Sequence, residues 1–335
     1  MAHARRRSFA GHLLGLGVVA ALTAAAGFGA PGSAHAQDNY PSRKVTFVVA
    51  TAPGGYADAV GRIIADKLGA RFHQNFIVEN RGGGGGNIGA RSVISAGHDG
   101  YTVLVTTTQL AINETLYKNK GFSTNDLTAI SIPVSAPEVI MAHPSNPAKN
   151  LSDLVRAAKT TPLVFGSAGV GTGSYIEAQY LFKVLAKVET THVPFPGGAP
   201  ALNAILGNQI PTLALTVSPA IASINSGALR GLGIAAPERK SFVPSVPTFA
   251  EGGFPNYYAS SWVGFFMPAG APKDAAEKLN AAISDVLNDE GVKRRLTALG
   301  AELIHSPLPK TNEYFQSEIK RWGGMVRTLG LSVNN

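Results

Sequence analysis

Residues 45–79 have the sequence VTFVVATAPGGYADAVGRIIADKLGARFHQNFIVE, and this stretch decides the fold class. The β-branched run Val45–Val49 predicts a buried strand, which Pro53-Gly54-Gly55 ends. Apolar residues then recur at helical spacing, at Val60, Ile63, Ile64 and Leu68. Residues 76–79 predict a second strand. A strand, a helix and a strand in this order predict a parallel pair joined by a helical crossover.

The same alternation continues along most of the chain. A glycine loop at residues 82–86, a short helix and a strand at residues 101–105 complete the first unit. A second series of strands is predicted at residues 138–142, 163–165, 192–195 and 212–217. The helices between them are predicted at about residues 151–158, 175–186 and 199–206. A last strand, at residues 262–266, precedes helices at about residues 273–288, 290–299 and 311–329.

This pattern predicts an α/β fold of two lobes, each a mixed, mostly parallel sheet flanked by helices. We expect residues 37–140 together with 262–335 to form lobe 1, and residues 141–261 to form lobe 2. The cleft between two such lobes is a natural place for a ligand.

The N-terminal segment has the layout of a signal peptide. Arg5, Arg6 and Arg7 precede an apolar, alanine-rich run, and Ala34-His35-Ala36 forms an Ala-x-Ala cleavage pattern. We predict cleavage after Ala36 and a periplasmic location, with an uncleaved membrane anchor as the alternative. The twin arginine leaves open whether export follows the twin-arginine or the general secretory route.

Composition excludes several kinds of site. The chain contains no cysteine, so disulfides, thiolate zinc sites and cysteine nucleophiles are excluded. The net charge of +8 includes three leader arginines, so the mature chain would carry about +5. Its Lys and Arg residues are scattered, and the run Lys293-Arg294-Arg295 lies in a helical pattern typical of a solvated face. We therefore predict no nucleic-acid binding, although a mildly positive field attracts anionic ligands.

Two glycine-rich turns lie between a predicted strand and a predicted helix. The first turn is residues 52–58 and the second turn is residues 166–174. Ligands of open α/β sheets bind beyond the carboxyl ends of the strands, where such turns lie. Glycine lets the backbone approach closely, and free N–H groups at a helix start bind anions. The two turns therefore predict a site that holds a carboxylate without an arginine, unless both are ordinary turns.

The remaining motifs point away from cofactors and catalysis. Gly84, Gly86 and Gly89 form G-x-G-x-x-G, but no acidic residue follows at the distance that a dinucleotide site requires. The histidines show no metal-binding spacing. Asp58 is expected to order the first turn rather than to act in acid–base chemistry. We predict no cofactor, no metal and no catalytic residue.

An ordered series of motifs resembles a known family, the tripartite tricarboxylate transporter receptors, also called Bug or TctC-type solute-binding proteins. The motifs lie at residues 40–44, 52–55, 78–81, 86–90, 99–102, 166–172, 192–194, 198–201, 246–248, 251–253 and 268–272, together with Asp58 and Trp262. The resemblance covers nearly the whole mature chain. It implies a two-lobed, Venus-flytrap periplasmic receptor without enzymatic activity, which passes its ligand to separate integral-membrane transporter subunits.

The resemblance also implies the ligand-binding residues. Carried over to this sequence, the positions in the two turns are Gly55, Tyr56, Ala57, Asp58, Ser167, Gly171, Thr172 and Ser174. Thr107 and Thr108 are expected to form a wall of the cleft, and Tyr175 to lie at the site. Tyr56 and Tyr175 stand where the family often has other residues, so the ligand is expected to differ from the commonest one. A tyrosine at the mouth suits an aromatic or polar acid.

The function predicted from the sequence is that of a monomeric receptor for a small organic acid, with an amino acid or an aromatic carboxylate as options. Two alternatives stay open. The liganded protein could serve as the sensing partner of a signalling kinase. It could also be a periplasmic enzyme, for which a contact between Asp58 and a histidine would be the first sign.

Overall fold

The computed structural model describes residues 40–334, so the predicted leader and its cleavage site lie outside the described residues. The strands are β1 (Val45–Val49), β2 (Phe76–Asn80), β3 (Thr102–Thr107), β4 (Leu127–Ala142), β5 (Leu163–Ser167), β6 (Thr190–Pro194), β7 (Thr212–Thr216), β8 (Arg230–Ile234), β9 (Ser260–Pro268) and β10 (Glu302–Leu303). The helices are α1 (Tyr56–Phe72), α2 (Asn87–Ile94), α3 (Gln109–Leu116), α4 (Leu151–Ala157), α5 (Gly173–Gln179), α6 (Gly198–Leu206), α7 (Ile221–Asn225), α8 (Lys273–Val286), α9 (Glu290–Ala298) and α10 (Leu308–Thr328). A π-helical segment, Tyr180–Leu185, continues α5.

The first three strands form the parallel unit that the opening stretch predicts. β1 lies between β2 and β3 and is parallel to both, with Val45 opposite Phe76 and Thr46 opposite Thr102. β9 joins the other edge of β3 in the antiparallel direction, and β4 pairs with β9. Helices α1, α8 and α9 cover this sheet around a core that includes Phe47. The predicted α/β fold with a mixed sheet is confirmed.

The long strand β4 belongs to both halves of the molecule. Its first part pairs with β9, whereas its last five residues pair with β7 on one side and its last four with β8 on the other. Beyond β7, β5 and β6 continue in parallel. The predicted strand at residues 138–142 is only the last part of the 16-residue β4. The lobe boundaries proposed at residues 140 and 261 stay predictions.

Helix α10 holds the start of β9 in place. The carboxylate of Glu318, on α10, accepts two hydrogen bonds. One comes from the indole N–H of Trp262 on β9, at 2.9 Å, and the other from that of Trp322 on α10, at 2.8 Å. Both indoles are fully buried, and Phe315 packs edge-on against Trp262. A buried carboxylate bonded in this way holds the start of β9 rigidly. None of the helices within residues 40–334 has the length and apolar character that crossing a bilayer requires.

Candidate functional site

A cavity of about 200 Å³ lies where the turns at the carboxyl ends of five strands meet. The strands are β1, β3, β5, β6 and β7, and the start of β9 closes the far side. The lining residues are residues 51–57, Thr107, Gln109, Ala168, residues 172–174, residues 196–200, Leu215, Thr216, Pro219 and Ser261. Among the lining residues of the described chain, none is Lys, Arg, His, Asp or Glu. Polar recognition here therefore depends on backbone groups, hydroxyls and one amide.

The first turn presents an uncapped helix start to the cavity. Gly55 is the N-cap of α1, and no side chain caps this helix. The first N–H groups of a helix have no partner inside it, so those of Tyr56 and Ala57 are available to a ligand. The hydroxyl oxygen of Thr51, another lining residue, is buried and has no hydrogen-bond partner among the described residues. These groups together have the geometry that suits an anion.

Asp58 shapes this turn from behind. Its carboxylate accepts hydrogen bonds from Gly54 N at 2.9 Å, Arg62 Nε at 3.1 Å and Asn80 Nδ2 at 2.9 Å. Burial alone would raise the pKa of Asp58, but the bonds from Arg62, Gly54 and Asn80 hold it below its ordinary value. Asp58 is buried and lies outside the cavity lining. The ionised carboxylate therefore orders the turn.

The second turn is organised by its own side chains. Thr172 caps α5: its Oγ1 accepts from Tyr175 N at 3.4 Å and donates to Gly169 O at 2.7 Å. Ser167 Oγ is hydrogen-bonded to His192 Nε2 at 2.8 Å. The ring of Tyr175 packs on the imidazole ring of His192, with 4.2 Å between the ring centroids. Burial lowers the pKa of His192 to about 4, so the imidazole is neutral at neutral pH.

A third turn borders the cavity, and the sequence did not predict it as part of the site. Residues 196–200 follow β6 and lead into α6, whose N-cap Gly197 has φ 135° and caps without a side chain. The sequence does hold a signal for it: Pro196-Gly197-Gly198 repeats the Pro53-Gly54-Gly55 of the first turn in the same strand-to-helix position. The starts of α1, α5 and α6 thus converge on one cavity.

The structure divides the predicted ligand-binding residues into two groups. The cavity is lined by Gly55, Tyr56, Ala57, Thr107, Thr172 and Ser174. The other five, Asp58, Thr108, Ser167, Gly171 and Tyr175, lie outside the lining. Gly171 faces α3, since a Cβ built there would lie 3.1 Å from Asn113 Oδ1. Besides the third turn, the sequence did not predict Thr51, Gln109, Leu215, Thr216, Pro219 or Ser261.

A family model described as "Tripartite tricarboxylate transporter family receptor" matches residues 60–331 of the chain. The chain belongs to this family. It is therefore a TctC-type, periplasmic solute-binding receptor, and the resemblance predicted from the motifs is confirmed.

Relatives of known structure share the two-lobed fold. MatC from Rhodopseudomonas palustris, solved with bound malate, is 33% identical with a TM-score of 0.79, over 85% of this chain and 99% of that one. R. palustris Rpa4515, solved with adipate, is 28% identical with a TM-score of 0.83, over 88% of this chain and 100% of that one. A relative found by sequence, Protein BugT of Bordetella pertussis, is 30% identical over 323 residues, 95% of this chain and 98% of BugT.

The contacts of the titratable groups bear on the enzyme alternative. The side chain of Asp58 is bonded to Gly54, Arg62 and Asn80 rather than to a histidine. Ser167 and His192 form a serine–histidine pair, but Ser167 is fully buried and lies outside the cavity lining. A nucleophile must reach the substrate, so this pair is a structural contact.

Proposed function

We propose that this receptor binds a small organic acid in the cavity and delivers it to separate integral-membrane transporter subunits. The observation that carries the proposal is the convergence of three helix starts on a cavity lined by no charged side chain. The starts of α1 and α6, which no side chain caps, each carry a partial positive charge of about half an elementary charge and free N–H groups. A carboxylate satisfies both.

The size of the cavity supports a small ligand. Its volume of about 200 Å³ lies below the ~300–1,000 Å³ that is usual for drug-sized ligands. Two related receptors were solved with malate and with adipate, which are acids of this size class. The first turn belongs to proposed lobe 1, whereas the second and third turns belong to proposed lobe 2. A bound acid would bridge the lobes and stabilise their closed arrangement, which the transporter would recognise.

The proposal includes an exported, monomeric protein that starts at Gln37 and performs no catalysis. Its function is binding, so affinity and not turnover is the quantity to measure. Native mass spectrometry of the protein purified without refolding should detect a small acid that leaves on mild activation.

A thermal-shift panel tests the ligand class directly. At 100 times its dissociation constant, a ligand adds about 2.7 kcal/mol to the free energy of unfolding. We expect at least one member of a panel of mono-, di- and tricarboxylates, amino acids and aromatic acids to raise the melting temperature. Methyl esters of the same acids are the matched controls and should have no effect. A flat response to the whole panel would rule out the carboxylate receptor.

A further inference from the structure

A buried carboxylate lies directly behind the cavity. Glu138, on β4, is 3% exposed, and its Oε1 accepts hydrogen bonds from Ser261 Oγ at 2.6 Å and from Thr216 Oγ1 at 3.1 Å. Ser261 and Thr216 both line the cavity, and we call these two residues the floor. The second oxygen of Glu138 has no hydrogen-bond partner among the described residues. An incompletely bonded buried carboxylate is costly, so its position calls for an explanation.

The contacts determine which way the floor hydroxyls point their hydrogens. In its ionised form the carboxylate of Glu138 only accepts, so Ser261 and Thr216 then both donate to it. Thr108 Oγ1 lies 3.3 Å from Ser261 Oγ, and it must be the donor because the hydrogen of Ser261 is already used. A hydroxyl has one hydrogen and two lone pairs. The floor therefore has only acceptor capacity left for a ligand.

We propose that Glu138 is a positioning residue that makes the floor an acceptor surface, so that the ligand carries an ammonium or hydroxyl group beside its carboxylate. The inference rests on the proposed function, because the helix starts bind the carboxylate end. An acid without such a donor would leave the floor oxygens unsatisfied in a desolvated cavity, at a cost of about 1–3 kcal/mol per group. The ligand class is thus amino acids and hydroxy acids rather than simple alkanoic or dicarboxylic acids.

The groups around Glu138 favour a cationic donor. Within residues 40–334 Glu138 forms no salt bridge, and the ionisable groups that interact with it are Tyr56 of α1, Glu177 of α5 and Tyr257. Burial, and then the charge of Glu138, raises the pKa of Glu177 well above its ordinary value, against the opposing effect of Arg321. The guanidinium of Arg321 lies 3.8 Å from Glu177 but is bonded to Glu318. A ligand ammonium would be the missing counter-charge.

The protonation of Glu138 fits this role. Burial raises the pKa of Glu138 to about 7, against the opposing effect of the hydrogen bonds from Ser261 and Thr216. Near neutral pH the carboxyl group is therefore divided between its two forms. A cation at the floor would shift it to the ionised form, and ligand affinity should consequently fall as the pH falls below about 7.

Isothermal titration with matched ligands tests the inference. The sets are aspartate, malate and succinate; glutamate, 2-hydroxyglutarate and glutarate; phenylalanine, phenyllactate and phenylpropionate. In at least one set the wild type should bind the amino or hydroxy acid at least ~10-fold more tightly than the plain acid, as one hydrogen bond to a charge-supported group predicts. In Glu138→Gln, whose neutral amide removes the negative charge behind the floor hydroxyls, this ratio should fall to within about threefold.

Two further variants separate selectivity from stability. Thr216→Val removes one floor hydroxyl without a change in shape, and it should lower the same ratio even if Glu138→Gln fails to fold. Glu177→Gln applies the same substitution to a buried glutamate that is not bonded to the floor, and it should keep the wild-type ratio. A structural role for Glu138 would change melting temperature and leave the ratio intact.

The outcomes also distinguish the two proposals. If plain acids bind the wild type as tightly as their amino and hydroxy counterparts, the floor inference is wrong and the receptor function stands. If the ratio survives in Glu138→Gln and in Thr216→Val, the role of Glu138 is wrong. If no acid binds the wild type, both proposals are overturned.

Discussion

The first turn, residues 52–58, and the second turn, residues 166–174, both lead from a strand into a helix at the cavity, but they treat the helix start differently. In the first turn no side chain caps α1, and the backbone N–H that Asp58 binds is that of Gly54, which precedes the helix. In the second turn Thr172 caps α5. Glycine allows a close approach in both. The neighbouring side chains determine which N–H groups are left for a ligand, so the first turn leaves more of them free than the second.

The two turns also differ in the charge that stabilises them. An ionised carboxylate bonded to Arg62 and Asn80 supports the first turn. Hydroxyls and the neutral imidazole of His192 support the second. If this contrast is correct, substitutions in the first turn should mainly change ligand affinity. Substitutions in the second turn, and low pH acting through His192, should mainly change the free energy of unfolding.

The largest expected effect is that of Gly55→Leu. The N-cap Gly55 has φ −80°, and a Cβ there would lie 3.5 Å from Ala52 O, which is ordinary contact. The backbone therefore accepts the side chain, while the leucine would fill the anion site. We expect carboxylate affinity to fall more than ~100-fold, or about 2.7 kcal/mol, with little change in melting temperature. Titration calorimetry and thermal unfolding measure the two quantities.

A glycine outside the cavity lining is the control for this substitution. Gly324 on α10 has open space around its Cβ position, and Gly324→Leu should leave affinity unchanged. Gly198→Leu, in the third turn, should weaken binding as Gly55→Leu does, because a Cβ there would meet only Leu215 and Pro219 at 3.8 and 4.0 Å. Wild-type affinity in Gly55→Leu would disprove the anion site.

The fold could be predicted wherever the hydrophobic pattern is local. β1 was predicted with its observed bounds, because a β-branched run is bounded by turn residues. The first part of β4 was missed, since Pro133 and Pro137 are residues that interrupt most strands. The pairing of β4 with β9 changes register between Ser131 and Val134, and such an irregularity accommodates a proline. β8 was missed because its two glycines weaken the strand pattern.

The site could be predicted only where one segment holds both the turn and the helix start. The first turn has this property, and so does the third, whose repeated Pro-Gly-Gly was available but unused. The floor has no such signal. Ser261, Thr216 and Glu138 come from three strands that meet only when β4 pairs with both β7 and β9. Long-range pairing of this kind leaves no local pattern in the sequence.

Mild acid should weaken the second turn before the first. The pKa of His192 is lowered by burial to about 4, so below its ordinary value of 6.5 the unfolded chain binds a proton that the native state does not. Stability is therefore lost as the pH falls from about 6.5 towards 4. Burial would raise the pKa of Asp58, but its hydrogen bonds outweigh burial and hold the pKa below its ordinary value of 3.8. The stability that the ionised carboxylate adds is therefore lost only below about pH 3.8.

Urea unfolding at about pH 7 and pH 5 measures this difference. Between the two, His192 should cost the wild type at most about 2 kcal/mol, from 1.36 kcal/mol per pH unit below 6.5. Between these two pH values the free energy of unfolding of His192→Gln should fall by about this amount less than that of the wild type. The free energy of unfolding of Asp58→Asn should fall by as much as that of the wild type. The buried glutamates are common to all three proteins, so their effects cancel. Equal losses in the wild type and His192→Gln would place the acid sensitivity elsewhere.

The smallest effects come from a pair of threonines, one in each region, and they separate affinity from stability. Thr172 Oγ1 is bonded within the second turn, so Thr172→Val should cost about 1 kcal/mol of unfolding free energy, as the loss of an N-cap does.

Thr51 Oγ1 is buried beside the first turn without a partner among the described residues. Thr51→Val therefore removes no bond from the free protein and should not lower its stability. It should weaken ligand binding by roughly tenfold, the lower end of the value of one hydrogen bond to a charged group. Calorimetry and thermal unfolding of both variants give four numbers. The contrast between the turns requires Thr51→Val to change affinity more than stability, and it fails if Thr172→Val shows the larger loss of affinity.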